Sequence, residues 1–315
     1  MKCLIYPALN ESDLAQLRAA AGETTLVNAR DEATALTHVV DADAMIGRIT
    51  PQLLAQARQL RWVQASSAGL EHYMFPELVQ SDVILTNMAG IYSDQIADHV
   101  IAFVLMFARR MHSYLRYQLT HTWGLALPVL HVADQTLGIV GLGGIGKEVA
   151  RRGHMLGMRV IAVDAKSQSK PEYVAELMDQ ARLDDLLAEA DFVVLCVPHT
   201  PETVKLITKP RLQRMKPTAY LINISRGSVV DLADLTRALQ EGVVAGAGLD
   251  VFEQEPLPSD HPLWDMENVL ITPHMASGSN SPHISARRIA LMAENLKRYQ
   301  AGEPLHNVVD KLRWF

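Results

Sequence analysis

The sequence of 315 residues has no long apolar run, and it has only two cysteines. Its longest fully apolar run, residues 100–108, is far shorter than the roughly 20 residues that a membrane-spanning helix needs. The first residues, MKCLIYPALNESD, lack the apolar stretch of a signal peptide. We therefore predict a protein with no membrane partner and a cytoplasmic location.

An excess of positive charge is also missing, because 29 Lys and Arg stand against 35 Asp and Glu, for a formal net charge of −6. Paired arginines occur at 109–110, 151–152 and 287–288, where they fit solvated helix faces better than a cationic stripe. This pattern predicts no nucleic-acid partner. Cys3 and Cys196 lie in apolar, strand-like runs without metal-ligand spacing, so we predict small buried side chains in a reducing compartment and no metal site.

The sequence does contain a regular alternation of β-rich runs with segments of helical period, which is typical of α/β proteins with parallel sheets. A first series of strands extends from KCLIY to VILTN, near residue 87. One long helical pattern at 93–119 separates it from a second series of six strands, which extends from TLGIV to NVLITPH. Six strands with helices between them favour a doubly wound sheet.

The second series opens with a glycine pattern, in which Gly141, Gly143 and Gly146 form G-x-G-x-x-G between a predicted strand and a predicted helix. Glycines at this spacing permit a tight turn, close approach of the backbone to a pyrophosphate, and close packing of helix on strand. Asp164 ends the next predicted strand, where its carboxylate can accept hydrogen bonds from a ribose. The alternative is a plain glycine-rich turn with Asp164 as an ordinary strand-end residue. The context favours a dinucleotide site.

We therefore predict two domains. Residues 93–284 are expected to form a Rossmann domain, a doubly wound parallel sheet that binds the dinucleotide. Residues 1–92 and 285–315 are expected to form a smaller, flavodoxin-like α/β domain for the substrate. The helical pattern near 281–300 and the tail after it are too short for a further domain, so we expect them to pack on the first unit.

Three ionisable residues follow predicted strands of the second series: Arg226 after LINIS, Glu255 after GLDV, and His274 in ITPH. Ligands of open α/β sheets bind outside the carboxyl ends of strands, so the three side chains can face one crevice. Taken singly, each has a plain structural alternative: a surface ion-pair partner, a solvated loop carboxylate and a structural histidine. Together, behind a dinucleotide-binding pattern, they favour a catalytic group that recognises an anion.

Five segments resemble the D-isomer-specific 2-hydroxyacid dehydrogenase family in order and spacing: GLGGIG, VPHTPETVKLI, INISRGSVVD, GLDVFEQEPLP and ITPH. A looser resemblance covers almost the whole chain. The resemblance implies that Arg226 binds the carboxylate and carbonyl oxygen of a 2-oxo acid, a task suited to a planar guanidinium. It implies that His274 donates a proton to that oxygen, and that Glu255 hydrogen-bonds the other ring nitrogen and favours the charged ring.

The same resemblance implies which residues lie beside the cofactor, NAD (NADH). For Val197 and Ile224, core packing is the alternative. Asp164 implies a preference for NAD(H) over NADP(H), with Lys166 as the only nearby residue able to soften it. The whole predicted cofactor set is Gly141, Gly143, Gly144, Ile145, Gly146, Asp164, Val197, Pro198, Thr203, Ile224, Ser225, Asp250 and Ala276.

For the substrate, the resemblance implies that the small-residue loop SSAG offers backbone N–H groups from Ser67, Ala68 and Gly69 to the carboxylate. This loop departs from the commoner G-x-G form, which leaves the identity of the 2-oxo acid open. Arg48 is a further candidate, with a plain surface residue as the alternative. Trp123 in THTWG is the last candidate, although a lone Trp is more often part of a core.

The predicted function is an NAD(H)-dependent oxidoreductase that interconverts a short 2-oxo acid and a D-2-hydroxy acid, similar to a glyoxylate/hydroxypyruvate reductase. Two alternatives stay open: an enzyme similar to 3-phosphoglycerate dehydrogenase, and a dinucleotide-sensing corepressor of the same fold. The resemblance and the apolar pattern at 93–119 also suggest a homodimer.

Overall fold

The structure, a computed structural model, describes residues 1–124, 126–166, 169–278 and 281–313. The chain divides into two compact units, one of Met1–Tyr92 with Ser279–Phe315 and one of Ser93–Gly278. Each unit is built on one parallel sheet with helices on its faces. The predicted α/β class is therefore confirmed.

Strands and helices alternate along most of the described chain. The strands are β1 (Lys2–Tyr6), β2 (Thr25–Asn28), β3 (Ala44–Gly47), β4 (Trp62–Gln64), β5 (Ile84–Thr86), β6 (Thr136–Val140), β7 (Arg159–Asp164), β8 (Glu176–Asp179), β9 (Phe192–Leu195), β10 (Tyr220–Asn223), β11 (Gly246–Leu249) and β12 (Val269–Ile271). The helices are α1 (Glu11–Ala20), α2 (Glu32–Val39), α3 (Pro51–Gln56), α4 (Pro76–Gln80), α5 (Ser93–Ala108), α6 (Met111–Leu119), α7 (Gly144–Met155), α8 (Leu183–Glu189), α9 (Lys209–Leu212), α10 (Leu232–Gln240) and α11 (Pro282–Ala301).

The first unit has five parallel strands in the order β2-β1-β3-β4-β5, which is the flavodoxin-like order. Alternate strand residues point to opposite faces, and both faces are buried. On one face Leu4 and Val63 lie in a core with α2, α3 and α4; on the other, Ile5 and Trp62 lie in a core with α1 and α11. Helix α11 therefore packs on this unit.

The second unit has seven parallel strands in the order β12-β11-β10-β9-β6-β7-β8. The chain goes outward from β6 to β8 on one side and from β9 to β12 on the other, so the order reverses between β6 and β9. This is the doubly wound Rossmann arrangement, and its ligand crevice lies at the reversal point. The predicted Rossmann class is confirmed, although the prediction of six strands missed the edge strand β8.

The segment 93–119 is two helices, and the prediction of one continuous helix was wrong. Arg110 adopts a left-handed backbone conformation, with φ 57°, between α5 and α6. Its N–H bonds to the carbonyl of Phe107, while its own carbonyl accepts the N–H of Ser113 and Tyr114 and so starts α6. Neither Gly nor Pro occurs at this break. Contacts with the chain after α6 hold the conformation instead, including a hydrogen bond from Arg110 Nε to the carbonyl oxygen of Pro128.

Both cysteines are free thiols. Cys3 is buried, as predicted, while Cys196 keeps intermediate exposure. Burial raises the pKa of each thiol to about 12. The raised pKa keeps both thiols protonated near neutral pH.

Candidate active site

The turn between β6 and α7 uses its three glycines in three different ways. Gly141 has φ +96°, and an added Cβ would meet the carbonyl oxygen of Cys196 at 2.9 Å. At Gly146 an added Cβ would lie 2.1 Å from the carbonyl oxygen of Gly141, so only glycine permits helix and turn to pack this closely. At Gly143 an added Cβ would meet nothing within 4 Å. The turn therefore leaves open space at the one glycine where a pyrophosphate would approach.

Helix α7 begins immediately after this turn, with Gly143 as an N-cap that has no side-chain hydrogen bond. The first N–H groups of a helix have no acceptor inside the helix, and they carry the positive end of its dipole. Gly144 and Ile145 occupy the first two helical positions. The open space at Gly143 and these donors together fit a bound dinucleotide phosphate.

Asp164 at the end of β7 connects the glycine turn to the next loop. Its Oδ2 accepts the N–H of Leu142 at 2.6 Å, and its Oδ1 accepts the N–H of Lys166 at 2.7 Å. A carboxylate has about four acceptor positions, so both oxygens can still accept ribose hydroxyls. The backbone bonds fix the carboxylate at the strand end where a ribose diol is expected.

Arg226 follows β10, and the side chain of Asn223 shapes the turn that carries it. Asn223 Nδ2 donates to the carbonyl of Arg226 at 3.0 Å, while its Oδ1 accepts the N–H and hydroxyl of Ser225 at 3.1 and 2.9 Å. At Gly227 an added Cβ would lie 1.8 Å from the carbonyl carbon of Phe252. The loops after β10 and β11 are therefore packed backbone against backbone, which only glycine allows.

Glu255 and His274, which the family resemblance pairs, are in contact. His274 Nδ1 lies 2.7 Å from Glu255 Oε2, and Glu255 Oε1 accepts the N–H of Phe252 at 3.0 Å. Because a carboxylate can only accept, Nδ1 carries the hydrogen and Nε2 is left for a substrate. The two side chains are 47% and 36% exposed, so a small molecule in solvent can reach the ring.

The loop after β12 is held by Asp250, which is 2% exposed. Its Oδ1 accepts the Thr272 hydroxyl at 2.6 Å and the Met275 N–H at 2.9 Å, and its Oδ2 accepts the Ala276 N–H at 3.0 Å. The Asp250 carbonyl accepts the N–H of His274 at 2.8 Å. Asp250 is predicted from the sequence to lie at the cofactor, but its supporting role, like those of Asn223 and Thr272, has no signal in the sequence.

Three other residues of the predicted cofactor set have contacts within the second unit. Thr203 uses its hydroxyl to donate to the carbonyl of Pro198 at 2.7 Å and to accept the N–H of Thr200 at 2.8 Å. Ile224 is buried and Val197 packs against the core, which is the arrangement that the core-packing alternative predicts. Contact of these residues with a cofactor stays a prediction.

In the first unit, three carbonyl groups of the loop SSAG, residues 66–69, accept hydrogen bonds from residues of the same unit. The carbonyl of Ser67 accepts the N–H of Met88, that of Ala68 accepts Asn87 Nδ2, and that of Gly69 accepts the Ser67 hydroxyl, at 3.1, 3.0 and 2.7 Å. Within the described chain, the N–H groups of Ser67, Ala68 and Gly69 have no such partner. A row of N–H groups without internal acceptors is suited to a carboxylate.

The two remaining substrate candidates are both exposed. Arg48 bonds through its backbone N–H to the carbonyl of Tyr6 at 2.7 Å, and its side chain reaches solvent, so its surface alternative stays open. Trp123 is fully exposed, at 103% of the reference area. The alternative that Trp123 is a core residue is therefore wrong.

Neither a metal centre nor a membrane-spanning helix occurs among the described residues. Outside the undescribed positions, no group of three or more His, Cys, Asp and Glu side chains is arranged to hold a metal ion. Along residues 1–124, 126–166, 169–278 and 281–313, no helix combines the length and the apolar character needed to cross a membrane.

This chain is similar to known proteins of one family. Residues 101–276 match the model described as D-isomer specific 2-hydroxyacid dehydrogenase, NAD binding domain. A glyoxylate reductase from Korarchaeum cryptofilum is 40% identical over 286 residues, which are 88% of this chain and 85% of that protein. A glyoxylate reductase from Pyrococcus furiosus is 36% identical over 290 residues, covering 88% of this chain and 84% of that protein.

Two solved structures are similar over the whole chain. One is an NADPH-dependent glyoxylate/hydroxypyruvate reductase from Sinorhizobium meliloti in complex with NADP and sulfate, with a TM-score of 0.87, 28% identity, and coverage of 100% of this chain and 99% of that one. The other is a D-isomer specific 2-hydroxyacid dehydrogenase from Xanthobacter autotrophicus in complex with NADPH and MES, with a TM-score of 0.86, 30% identity, and the same coverage.

Proposed function

This chain belongs to the D-isomer-specific 2-hydroxyacid dehydrogenase family, and on that premise we propose that it is an NAD(H)-dependent enzyme that interconverts a short 2-oxo acid and a D-2-hydroxy acid. Glyoxylate and hydroxypyruvate are the proposed substrates, because the relatives are named for these acids. The observation that carries the proposal is the 2.7 Å contact between His274 Nδ1 and Glu255 Oε2 beyond the ends of β11 and β12.

When it is bound, NADH supplies a hydride to the carbonyl carbon of the 2-oxo acid. His274 donates the proton that the carbonyl oxygen needs, from Nε2, since Nδ1 is engaged with Glu255. Arg226 holds the carboxylate and carbonyl oxygen with its fork of donors. Glu255 fixes the ring of His274 by accepting the hydrogen of Nδ1.

For the rest of the substrate we propose the N–H groups of Ser67, Ala68 and Gly69, supported by the bonded carbonyl groups of that loop. Arg48 and Trp123 are proposed on the family resemblance and on their exposure. In this assignment residues 1–92 and 285–315 form the substrate domain, and residues 93–284 form the dinucleotide-binding domain.

We propose NAD(H) as the cofactor, although the Sinorhizobium and Xanthobacter structures hold NADP and NADPH. The support is Asp164, whose carboxylate is fixed at the end of β7 by two backbone N–H groups. This negative charge would repel a 2′-phosphate and accept bonds from a free ribose diol. Comparing kcat/KM for NADH and NADPH tests the assignment, and a clear preference for NADPH would overturn it.

We also propose that the protein is a homodimer located in the cytoplasm. Its support is a row of exposed apolar side chains, four residues apart on α6 and beyond: Met111, Leu115, Leu119 and Trp123, of which Leu119 is 82% exposed. The two thiols form no disulfide, which agrees with a reducing compartment. Sedimentation of the wild type and of Leu119→Glu tests the dimer, because a buried charge should shift the equilibrium toward monomer.

The decisive test is oxidation of NADH with a panel of 2-oxo acids, including glyoxylate, hydroxypyruvate and 3-phosphohydroxypyruvate. Turnover of the first two near ordinary enzyme rates, about 1–10³ s⁻¹, is expected. A preference for the phosphorylated acid would replace the proposal with a 3-phosphoglycerate dehydrogenase activity. Tight NADH binding without turnover of any acid would favour a dinucleotide-sensing corepressor instead.

A further inference from the structure

His99, on the apolar helix α5, contacts the polar cluster that supports the catalytic loop. Its Nε2 lies 3.0 Å from the Thr272 hydroxyl and 3.9 Å from Asp250 Oδ1. The ring also packs edge-on against Phe103, with 4.7 Å between centroids, and its side chain is only 17% exposed. A polar ring inside an apolar helix face is costly unless it makes a specific hydrogen bond.

The direction of these hydrogen bonds follows from the chemistry of the groups. The Thr272 hydroxyl has one proton, and it donates that proton to Asp250 Oδ1 at 2.6 Å, since a carboxylate only accepts. The hydroxyl oxygen therefore accepts from His99, which must carry its hydrogen on Nε2. Burial lowers the pKa of His99 and outweighs the Asp250 charge, which acts in the opposite direction. The lowered pKa favours a neutral ring at neutral pH. The relay is thus His99 to Thr272 to Asp250.

Asp250, the last residue of this relay, holds the loop after β12 in an unfavourable backbone conformation. His274 has φ 50°, a left-handed region that non-glycine residues rarely adopt and that persists only when surrounding contacts enforce it. Those contacts are the bonds from the N–H groups of His274, Met275 and Ala276 to the backbone and carboxylate of Asp250. The Asp250 carboxylate thus accepts two of these three N–H groups, those of the residues that directly follow His274, and so helps to fix the backbone that carries the His274 ring.

We propose that His99 is a positioning residue for catalysis: through Thr272 and Asp250 it fixes the loop that aims His274 at the substrate. The inference rests on the proposed function for its kinetic consequence. The structural part of the inference, that His99 orders residues 272–278, does not depend on which substrate the protein uses. His99 itself contacts neither His274 nor Glu255 among the hydrogen bonds of the described residues.

The test uses two variants that break the relay and one that restores it. His99→Leu removes the donor, and Thr272→Val removes the hydroxyl at nearly constant shape. His99→Gln keeps an N–H donor near the position of Nε2 and should rescue. Each breaking variant should lower kcat about tenfold and leave the KM for NADH near normal, because misplacement of a reacting group by 1 Å can cost roughly 10²-fold.

The double variant His99→Leu/Thr272→Val should lose no more activity than the worse single variant, because both changes interrupt one chain of hydrogen bonds. Two independent losses that multiply would overturn the relay. A kcat within about twofold of wild type in His99→Leu would overturn it as well.

His112 provides the matched control. It is a buried histidine of the same unit, and burial lowers its pKa as it does for His99. Its ring packs against Phe107, and its Nδ1 lies 3.1 Å from the carbonyl oxygen of Met106. His112→Leu should reduce thermal stability as His99→Leu does, but it should leave kcat within about twofold of wild type. A similar fall of kcat in both variants would mean that the effect is general destabilisation.

Amide hydrogen exchange separates this inference from the proposed function. In the wild type, the Asp250 carboxylate protects the N–H groups of Met275 and Ala276. Exchange in the segment 272–278 should be faster in His99→Leu and Thr272→Val, and unchanged in His99→Gln and His112→Leu. If the wild type turns over no 2-oxo acid but the exchange pattern holds, the proposed reaction fails and the positioning role survives. Unchanged exchange in all four variants would overturn the positioning role, whatever the substrate.

Discussion

The glycine turn after β6 and the loops after β10, β11 and β12 lie in the same unit, but they obtain their shapes by different means. In the turn, the residues of the motif make the geometry themselves, since Gly141 and Gly146 permit contacts that no other residue could make. In the loops, the side chains proposed to react are held by hydrogen bonds from other side chains, namely Asn223 for the turn of Arg226 and Asp250 for the loop of His274.

This difference predicts that substitutions in the two regions impair different steps of the proposed reaction. A change in the turn should impair binding of the dinucleotide and leave the acid–base group intact. A change in the loops should impair the chemical step and leave dinucleotide binding intact. Substitutions in the two regions test this separation.

His274→Asn should lower kcat by about 10²- to 10⁴-fold, which is the usual contribution of a positioned general acid. Asn tolerates a left-handed backbone, so the loop should keep its conformation. NADH affinity, measured by calorimetry, should stay within about threefold of wild type if the two regions are separate. Loss of NADH binding together with kcat would show that the two regions do not act separately.

Arg226→Lys should lower kcat/KM for the 2-oxo acid by about 10- to 100-fold, equivalent to one lost charge-assisted hydrogen bond of ~1.5–3 kcal/mol. The charge is kept, but the fork that holds carboxylate and carbonyl together is lost. Arg237→Lys, an exposed position on α10, serves as the control and should be silent. A near-normal kcat/KM in Arg226→Lys would identify Arg226 as a structural residue.

Gly143→Ala should weaken NADH binding about tenfold, because the added Cβ would occupy the open space where a pyrophosphate approaches. Its free energy of unfolding should change by less than about 1 kcal/mol, since Cβ meets no atom of the folded protein. Gly146→Ala is the contrasting variant, because its Cβ would meet the Gly141 carbonyl oxygen. It should lose about 1–3 kcal/mol of stability. Equal stability losses in both variants would contradict the assignment.

Glu255→Gln should have the smallest effect, because the amide oxygen can still accept the hydrogen of His274 Nδ1 and only the negative charge is lost. Both side chains are well exposed, at 36% for Glu255 and 47% for His274, so solvent weakens the contribution of that charge. We expect kcat to fall about two- to tenfold, while the KM for NADH stays near normal. A kcat equal to that of the wild type would return Glu255 to a solvated loop carboxylate.

Most strands could be predicted from sequence because buried parallel strands have near-continuous apolar runs. The edge strand β8 was missed because its sequence, ELMD, has two carboxylates and only Met178 is buried. The break at Arg110 was missed because neither glycine nor proline marks it. In both places, contacts distant in sequence override a weak local signal.

Within the candidate site, the sequence identified residues whose chemistry is unusual for their position: Arg226, Glu255 and His274 after strands, and the glycines of the turn. It did not identify His99, which lies within the apolar pattern of α5 and is separated from Thr272 by 173 positions. It also could not distinguish core from surface for Trp123, because a single aromatic residue has no periodicity.

Local properties of the sequence, namely apolar period, glycine freedom and strand-end position, are enough to infer the α/β class, the glycine turn and the candidate residues at the strand ends. The hydrogen-bond partners that support those residues become visible only in the fold. Asp250 holds three consecutive N–H groups, and Thr272 and His99 hold Asp250, because the fold brings β11, β12 and α5 together. A hydrogen-bond partner needs only to be within about 3 Å in space, and sequence distance places no limit on it.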